Sequence, residues 1–405
     1  MERIIMHVDV NNAFLSWTAI DLLNKGFKTD IRNIEAVIGG DESKRHGIVL
    51  AKSMKAKAKG VKTAETLFSA RKKCENLEIF PPNYEWYLKM SKSLFKLISS
   101  YTPDIEVVSV DECFIDYTGI KNNYKSPEVF ANLLKYEIYN KLGFTVNVGI
   151  ANNKLCAKMA SDFLKPNKVH TLYMSEVEEK MYPLKVDDLF GVGKKTALKL
   201  HELNIHTIGS LANADLTFLS KYFKNQAIKL IESARGIDNS IVDTKSRDPK
   251  GISKSITLRY NLTNKNQIIK HLEPLIEDIG LSLRNQNKYA YVISVNLKDR
   301  YFKSFSHQVK LKNATNSSNK LLEVAAKLIN EMEIDESIRL IGFGVSNLVN
   351  INNYQLSIFE DNKEVENDNE LNKVIDKIKG IKCGFKQTSC PDQLAKALEE
   401  ASKEN

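Results

Sequence analysis

Two stretches of the chain alternate apolar and polar positions as strands do, and each is interrupted by acid. In one, Ile105, Val107, Val108 and Val110 lead into Asp111 and Glu112, after which Cys113, Phe114 and Ile115 resume the apolar run. Successive side chains of a strand point to opposite faces, so adjacent carboxylates reach one point only where the strand ends or turns. The pattern predicts a bend at Asp111 and Glu112, as between the strands of a hairpin. In the other, Ile4, Ile5, Met6, Val8 and Val10 enclose His7 and Asp9. Asn11 and Asn12 then offer caps for a helix through Ala13, Phe14, Leu15 and Trp17 that ends near Gly26. A histidine inside an apolar strand is expected to be a satisfied core residue. With the two strands side by side, Asp9, Asp111 and Glu112 form a cluster that repels itself without cations, which suits Mg²⁺ and two-metal phosphoryl transfer.

Further along, residues 37–40 and 47–51 read as short strands, and Lys52, Lys55, Lys57, Lys59 and Lys62 crowd one region beside them. Helices are expected over 88–101 and near 127–142, with a strand over 145–150 and a helix after Asn152 and Asn153 that carries Lys154 and Lys158 and ends at Lys165. Strand, helix, hairpin, helix and strand make an α+β layer in which helices cover one sheet face and the open face presents the carboxylates. Residues 170–238 look wholly helical, with Gly191, Val192 and Gly193 forming a turn ahead of Lys194 and Lys195. A polar link, 239–250, precedes strands expected at 254–260, 291–297, 308–311 and 339–345 and helices at 267–285 and 319–332. These form two βαβ-like halves on an antiparallel sheet. Past residue 350 the chain is polar, except for Gln355, Leu356, Ser357, Ile358 and Phe359. Residues 371–405 suggest helical pieces without a readable role.

Charge and cysteine usage narrow the partners. The net charge is +9, and residues 360–405 hold 11 acidic and 8 basic side chains, so the rest of the chain carries +12. That excess suits a polyanion. At 405 residues, with 42% hydrophobic and 27% charged positions, the chain has room for two to four globular domains. The cysteines at 74, 113, 156, 383 and 390 form no CxxC pair, which favours reduced cytosolic thiols over disulfides or zinc. No signal peptide or membrane-length apolar run is visible, so a cytoplasmic protein with no membrane contact is expected.

Asp9-Val10-Asn11-Asn12-Ala13-Phe14, Ser109-Val110-Asp111-Glu112, Val148-Gly149-Ile150-Ala151-Asn152-Asn153-Lys154 and Lys165-Pro166 together resemble the motifs of Y-family translesion DNA polymerases, the group of bacterial DNA polymerase IV and UmuC. The resemblance runs in order to about residue 349. It implies a multidomain α+β right hand: a palm from 1–12 and 77–169, small fingers from 13–76, and a helical thumb with a helix-hairpin-helix from 170–238. A linker at 239–250 and an α+β little finger from 251–349 follow, then a tail. It also implies that Asp9, Asp111, Glu112 and the Val10 carbonyl hold two Mg²⁺ ions. Asn12, Phe14, Lys57 and Lys165 meet the incoming dNTP, with Phe14 as the steric gate against a ribose 2′-OH. Gly191, Gly193, Lys194 and Lys195 hold primer-template DNA, and Gln355 to Phe359 resemble the peptide that docks on the bacterial sliding clamp. Where many relatives carry a hydroxyl residue, a tyrosine and an arginine, this chain has Ala51, Met54 and Lys57.

The expectation is a monomeric, template-directed DNA polymerase of low fidelity, with no length left for a proofreading exonuclease. A non-catalytic DNA- and clamp-binding accessory factor is the alternative. A nucleotide cyclase sharing the palm would leave the helix-hairpin-helix and the tail peptide without a purpose.

Overall fold

The computed structural model describes residues 3–350, apart from 43, 44, 46, 246 and 247, together with Lys396. The first 172 residues carry, in order, β1 (Ile5–Val10), α1 (Ala13–Asn24), β2 (Ala36–Gly39), β3 (Val49–Lys52), α2 (Met54–Ala58), α3 (Leu67–Lys73), β4 (Glu78–Phe80), α4 (Tyr84–Ser99), β5 (Ile105–Val107), β6 (Glu112–Asp116), α5 (Pro127–Leu142), β7 (Val146–Ala151), α6 (Lys154–Asp162) and β8 (Val169–Leu172). Five strands form one sheet in the order β5-β6-β1-β7-β8, with β1 antiparallel to both β6 and β7. Alternation divides it cleanly. Met6, Val8 and Val10 join Cys113, Ile115, Val146, Val148 and Ile150 under α1, α4 and α5, where Trp17, Leu94, Ile98, Phe130 and Leu134 complete the core.

The opposite face is not open as the sequence suggested. Ile5, Phe114 and Ala151 pack there against Leu155, Cys156, Met159 and Ala160 of α6. The reason is Gly149: a Cβ on it would lie 2.0 Å from the Ala157 carbonyl oxygen and 2.5 Å from the Ser161 nitrogen, so only glycine lets the helix backbone press onto β7. Asp9, Glu112 and Asn147 continue this face along one cross-strand row, since Asp9 pairs with Glu112 on one side and Asn147 on the other. The carboxylates therefore sit beside the end of α6, not on a bare sheet.

The expected all-helical region begins instead with a strand. Val169, Thr171 and Leu172 favour the pleat, and β8 runs parallel to β7 from the Val148–Val169 pair onward. Helices α7 (Lys194–Glu202), α8 (Ile208–Ala212), α9 (Leu216–Phe223) and α10 (Gln226–Ala234) follow. Their buried Leu200, Leu211, Leu219 and Ile231 belong to the same apolar cluster as α6. A smaller sheet, β3-β2-β4, forms a separate lobe with α2 and α3.

The last described unit comprises β9 (Gly251–Leu262), α11 (Lys265–Asn285), β10 (Lys288–Asp299), β11 (Ser304–Thr315), α12 (Ser318–Glu331) and β12 (Ile338–Asn350). Its antiparallel sheet has the order β11-β10-β12-β9: the two expected βαβ halves are present, and their strands interleave. Both helices cover one face around Leu272, Ile279, Ile293, Leu328 and Phe343. The strands are longer than the apolar pattern indicated, because outward residues such as Ser253, Lys254, Ser306 and Lys310 blur the alternation on the other face.

Candidate active site

The hairpin forms where the acids break the apolar run. β5 and β6 pair from Ile105–Ile115 to Val107–Cys113, and the Val108 and Ser109 amides both donate to the Glu112 carbonyl, at 3.1 and 3.3 Å. Glu112 thus opens β6 directly opposite Asp9, while Asp111 occupies the turn and its carbonyl accepts from the Val10 amide at 3.0 Å. Asp9, Asp111, Glu112 and the Val10 backbone thus all lie at one end of β1.

Each acid has a different environment. Burial pushes Asp111 above the usual carboxylate range, with Asp9 and Glu112 adding to the rise and the Ser109 hydroxyl, 2.6 Å away, opposing it. Glu112 goes the other way, down to about 2: the His7 imidazole, 3.3 Å from Oε2, and the Lys158 ammonium, 2.8 Å from it, outweigh its burial. His7 is 1% exposed, and burial holds its imidazole below its ordinary pKa against the opposing pull of Glu112. Asp9 Oδ2 pairs with Lys165, whose ammonium also lies 2.7 Å from Asp162. Burial pulls the Lys165 pKa down, but Asp9 and Asp162 overcome it and the net shift is upward. Among the described residues no three acidic, histidine or cysteine side chains surround one point closely enough to hold an ion. The donor set still fits a hard cation, because the mutual repulsion registered at Asp111 is what Mg²⁺ relieves.

Asn11 and Asn12 do not cap α1 through their side chains. Asn12 takes a left-handed conformation, φ 52°, and its amide donates to the Lys52 carbonyl at 2.7 Å, tying the start of α1 to β3. Asn11 is spent on a buried network with Asn147, whose Oδ1 accepts from Asn11 Nδ2 and the Lys168 amide, both at 3.1 Å. Asn147 Nδ2 donates to the Ser161 and Leu164 carbonyls at 3.0 and 2.8 Å, which fixes the segment that carries Lys165. Phe14 is the second residue of α1 and stacks on Tyr87, with ring centroids 4.8 Å apart and planes 11° apart. The Tyr87 hydroxyl meets Thr18 Oγ1 at 2.7 Å, so the stack is held at its far end.

Lys57 stands exposed on α2, close enough to Lys52 to help burial depress that lysine's pKa. Ala51 is buried and Met54 is exposed. The Gly191 turn lies apart from the carboxylates: Gly191 has φ +93°, Gly193 precedes α7, and Lys194 and Lys195 are exposed at the helix start. It nevertheless leans on the far side of α6, where the Phe190 amide meets Met159 Sδ at 3.3 Å. Gln355 to Phe359 lie outside the described residues.

Residues 8–162 match the impB/mucB/samB family, 175–205 the IMS family HHH motif, and 249–358 the impB/mucB/samB family C-terminal domain. DNA polymerase IV of Clostridium acetobutylicum is 47% identical over 379 residues, 94% of this chain and 95% of that protein. The chain belongs to the DNA polymerase IV family. The namesake from Alkaliphilus oremlandii is 35% identical over 93% of this chain and 95% of its own. A chimera of the Y-family DNA polymerases Dbh and Dpo4 superposes with a TM-score of 0.76 at 25% identity, over 86% of this chain and 99% of that one. The five-stranded sheet is thus a Y-family palm, flanked by fingers, a helix-hairpin-helix thumb and a little finger.

Residues 365–402 also match the TSCPD domain. Thr388, Ser389, Cys390, Pro391 and Asp392 spell that motif in a stretch that sequence reasoning left without a role. Reasoning from the sequence likewise passed over Asn147, a polar side chain in an apolar strand, and placed His7 in the core without its contact to Glu112.

Proposed function

We propose that Asp9, Asp111 and Glu112, with the Val10 carbonyl, form the metal site of this translesion DNA polymerase. The observation that carries this reading is the register: Glu112 faces Asp9 across β6 and β1, and Asp111 closes the turn beside them. Bound there, two Mg²⁺ ions supply Lewis-acid charge at the primer 3′-oxygen and at the triphosphate. The chain's own residues do the positioning, which accounts for most of the rate in phosphoryl transfer. Lys165 is placed beside Asp9 to exchange its carboxylate partner for the β- and γ-phosphates of a dNTP. Asn12, tied to the Lys52 carbonyl, and Lys57, near Lys52 on the fingers, are assigned to the same dNTP. The Phe14 ring, stiffened by Tyr87, occupies the place where a ribose 2′-OH would go.

The palm, fingers, thumb, linker and little finger occupy 1–12 with 77–169, 13–76, 170–238, 239–250 and 251–349. Gly191 and Gly193 present backbone N–H groups to a DNA phosphate and Lys194 and Lys195 add charge, a contact that grips DNA without reading its sequence. Gln355, Leu356, Ser357, Ile358 and Phe359 dock on the bacterial sliding clamp, the enzyme works as a monomer in the cytoplasm, and no helix among the described residues is long and apolar enough to cross a membrane.

Mg²⁺-dependent primer extension on undamaged and abasic templates tests this, with the parent compared against Asp111→Ala. Extension by the parent past the abasic position, and its loss in the variant, is the expected result. Tight DNA binding without extension, even with clamp added, would instead support a non-catalytic accessory factor.

A further inference from the structure

Among the described residues, Glu112 is held from behind by one oxygen, Oε2. Lys158 Nζ lies 2.8 Å from Oε2, and His7 Nε2 lies 3.3 Å from the same atom. His7 approaches along β1 and Lys158 from α6, so the oxygen is caught between a strand and a helix. The His7 ring is fixed in turn: Nδ1 is 2.8 Å from the Ser161 hydroxyl, and the ring rests on Phe114 with centroids 4.7 Å apart. Ser161 lies three residues after Lys158 on the same helix.

Donor and acceptor chemistry favours one tautomer of His7. A carboxylate oxygen can only accept, so a bond to Oε2 needs the proton on Nε2, and Nδ1 then takes the single proton of Ser161 Oγ in competition with the Lys158 carbonyl, each 2.8 Å from that hydroxyl. Nε2 is buried and, among the described residues, makes no well-aligned hydrogen bond; Glu112 Oε2, 3.3 Å away, is the acceptor in reach. Ser161 therefore directs the His7 N–H at Glu112, and nothing in the proposed reaction uses either group. With Oε2 occupied from the sheet side, only Oε1 is left to face the active-site space.

We propose that Lys158 and the Ser161–His7 pair are positioning residues that clamp Oε2 of Glu112 and turn Oε1 toward the active-site Mg²⁺. The proposal rests on the reading of Glu112 as a metal ligand. Mg²⁺ demands near-ideal octahedral geometry, so a ligand free to swing binds it poorly. Outer partners of metal ligands are typically worth 10- to 100-fold in affinity or activity.

The test uses the full chain with primer-template DNA whose primer ends in a dideoxynucleotide, plus dNTP, and counts bound Mn²⁺ by electron paramagnetic resonance. Lys158→Met and His7→Phe should each weaken Mn²⁺ binding by about 10-fold or more, whereas His7→Gln, which returns an N–H near Nε2, should stay within about threefold. Primer extension with an ordinary primer should fall at low Mg²⁺ and recover at high Mg²⁺. Folded Lys158→Met and His7→Phe proteins that bind Mn²⁺ like the parent would overturn the clamp, as would a rate loss that extra Mg²⁺ does not repair. If His7→Phe does not fold, Ser161→Ala removes only the hydroxyl that orients the ring and should still weaken Mn²⁺ binding severalfold; parental binding there would also overturn the proposal. The underlying site reading fails separately, if Asp111→Ala still extends primers at the parental rate.

Discussion

Asn147→Ala offers the sharpest test of how the palm holds Lys165, the lysine proposed to meet the triphosphate. The Asn147 side chain is fully buried and spends all four of its hydrogen-bonding positions, on Asn11, the Lys168 amide and the Ser161 and Leu164 carbonyls. At about 1 kcal/mol net for each bond, truncation should cost about 4 kcal/mol, a large part of the 5–15 kcal/mol that typically separates folded from unfolded domains. The chain's two tryptophans make this readable. Trp17 is completely buried in the palm, and the Trp86 indole donates to its carbonyl at 2.8 Å, so urea unfolding followed by intrinsic fluorescence reports this region. Because Leu164 leads directly into Lys165, the same change should raise the KM for dNTPs more than it lowers kcat. A parental unfolding midpoint would refute the energetic argument. A lowered midpoint with an unchanged dNTP KM would refute the link from Asn147 to Lys165.

Phe14→Ala should leave the fold intact while raising the ratio of ribonucleotide to deoxyribonucleotide insertion by about 100-fold, measured in single-nucleotide extension; an unchanged ratio removes Phe14 as the gate. Burial pushes the Cys74 thiol up to about 11 and Cys156 up to about 12, and raises Cys113 as well. No more than two of the five thiols should therefore react with a disulfide reagent in the native protein at pH 8. Since folding raises these values above the ordinary thiol pKa near 9, their contribution favours the fold below that pH and is lost as the pH climbs from about 9 toward 12. Three or more fast-reacting thiols at pH 8 would contradict the buried placement.

Local features of the fold were legible in the sequence. Helix α5 was delimited correctly because its punctuation is written there: Ser126 accepts from the Val129 amide at 3.3 Å, Pro127 opens the first turn and Gly143 closes it at φ +79°. The carboxylate hairpin was legible because adjacent acids in an apolar run cannot both be buried in a continuous strand and so mark a turn. Contacts set by tertiary packing were not legible. His7 looks like any core histidine until α6 brings Lys158 and Ser161 across β7, an approach that depends on the missing side chain of Gly149. Asn11 and Asn12 read as caps because short polar side chains usually serve that way at a helix start. Their real partners, Asn147 and the Lys52 carbonyl, are distant in sequence. β8 escaped notice because it is only four residues long and the thumb helices begin soon after it.

The apolar clusters divide the hand unequally. Ile5, Phe114 and Ala151 of the palm sheet run without a break into Leu189, Leu200 and Ile231 of the thumb, whereas the little finger closes a core of its own around Leu272, Ile293 and Phe343. Between them, the 239–250 link settles on the palm through Val242 and a few polar bonds, such as the Asp243 amide to Glu106 at 2.8 Å. Palm and thumb must therefore change together over evolutionary time, since an altered residue in one disturbs the packing of the other. The little finger shares no apolar cluster with them among the described residues and meets the fingers through polar contacts such as Arg45 to Asn261, so it is less constrained. A lineage of these enzymes can exchange or remodel that unit while inheriting the carboxylate centre untouched.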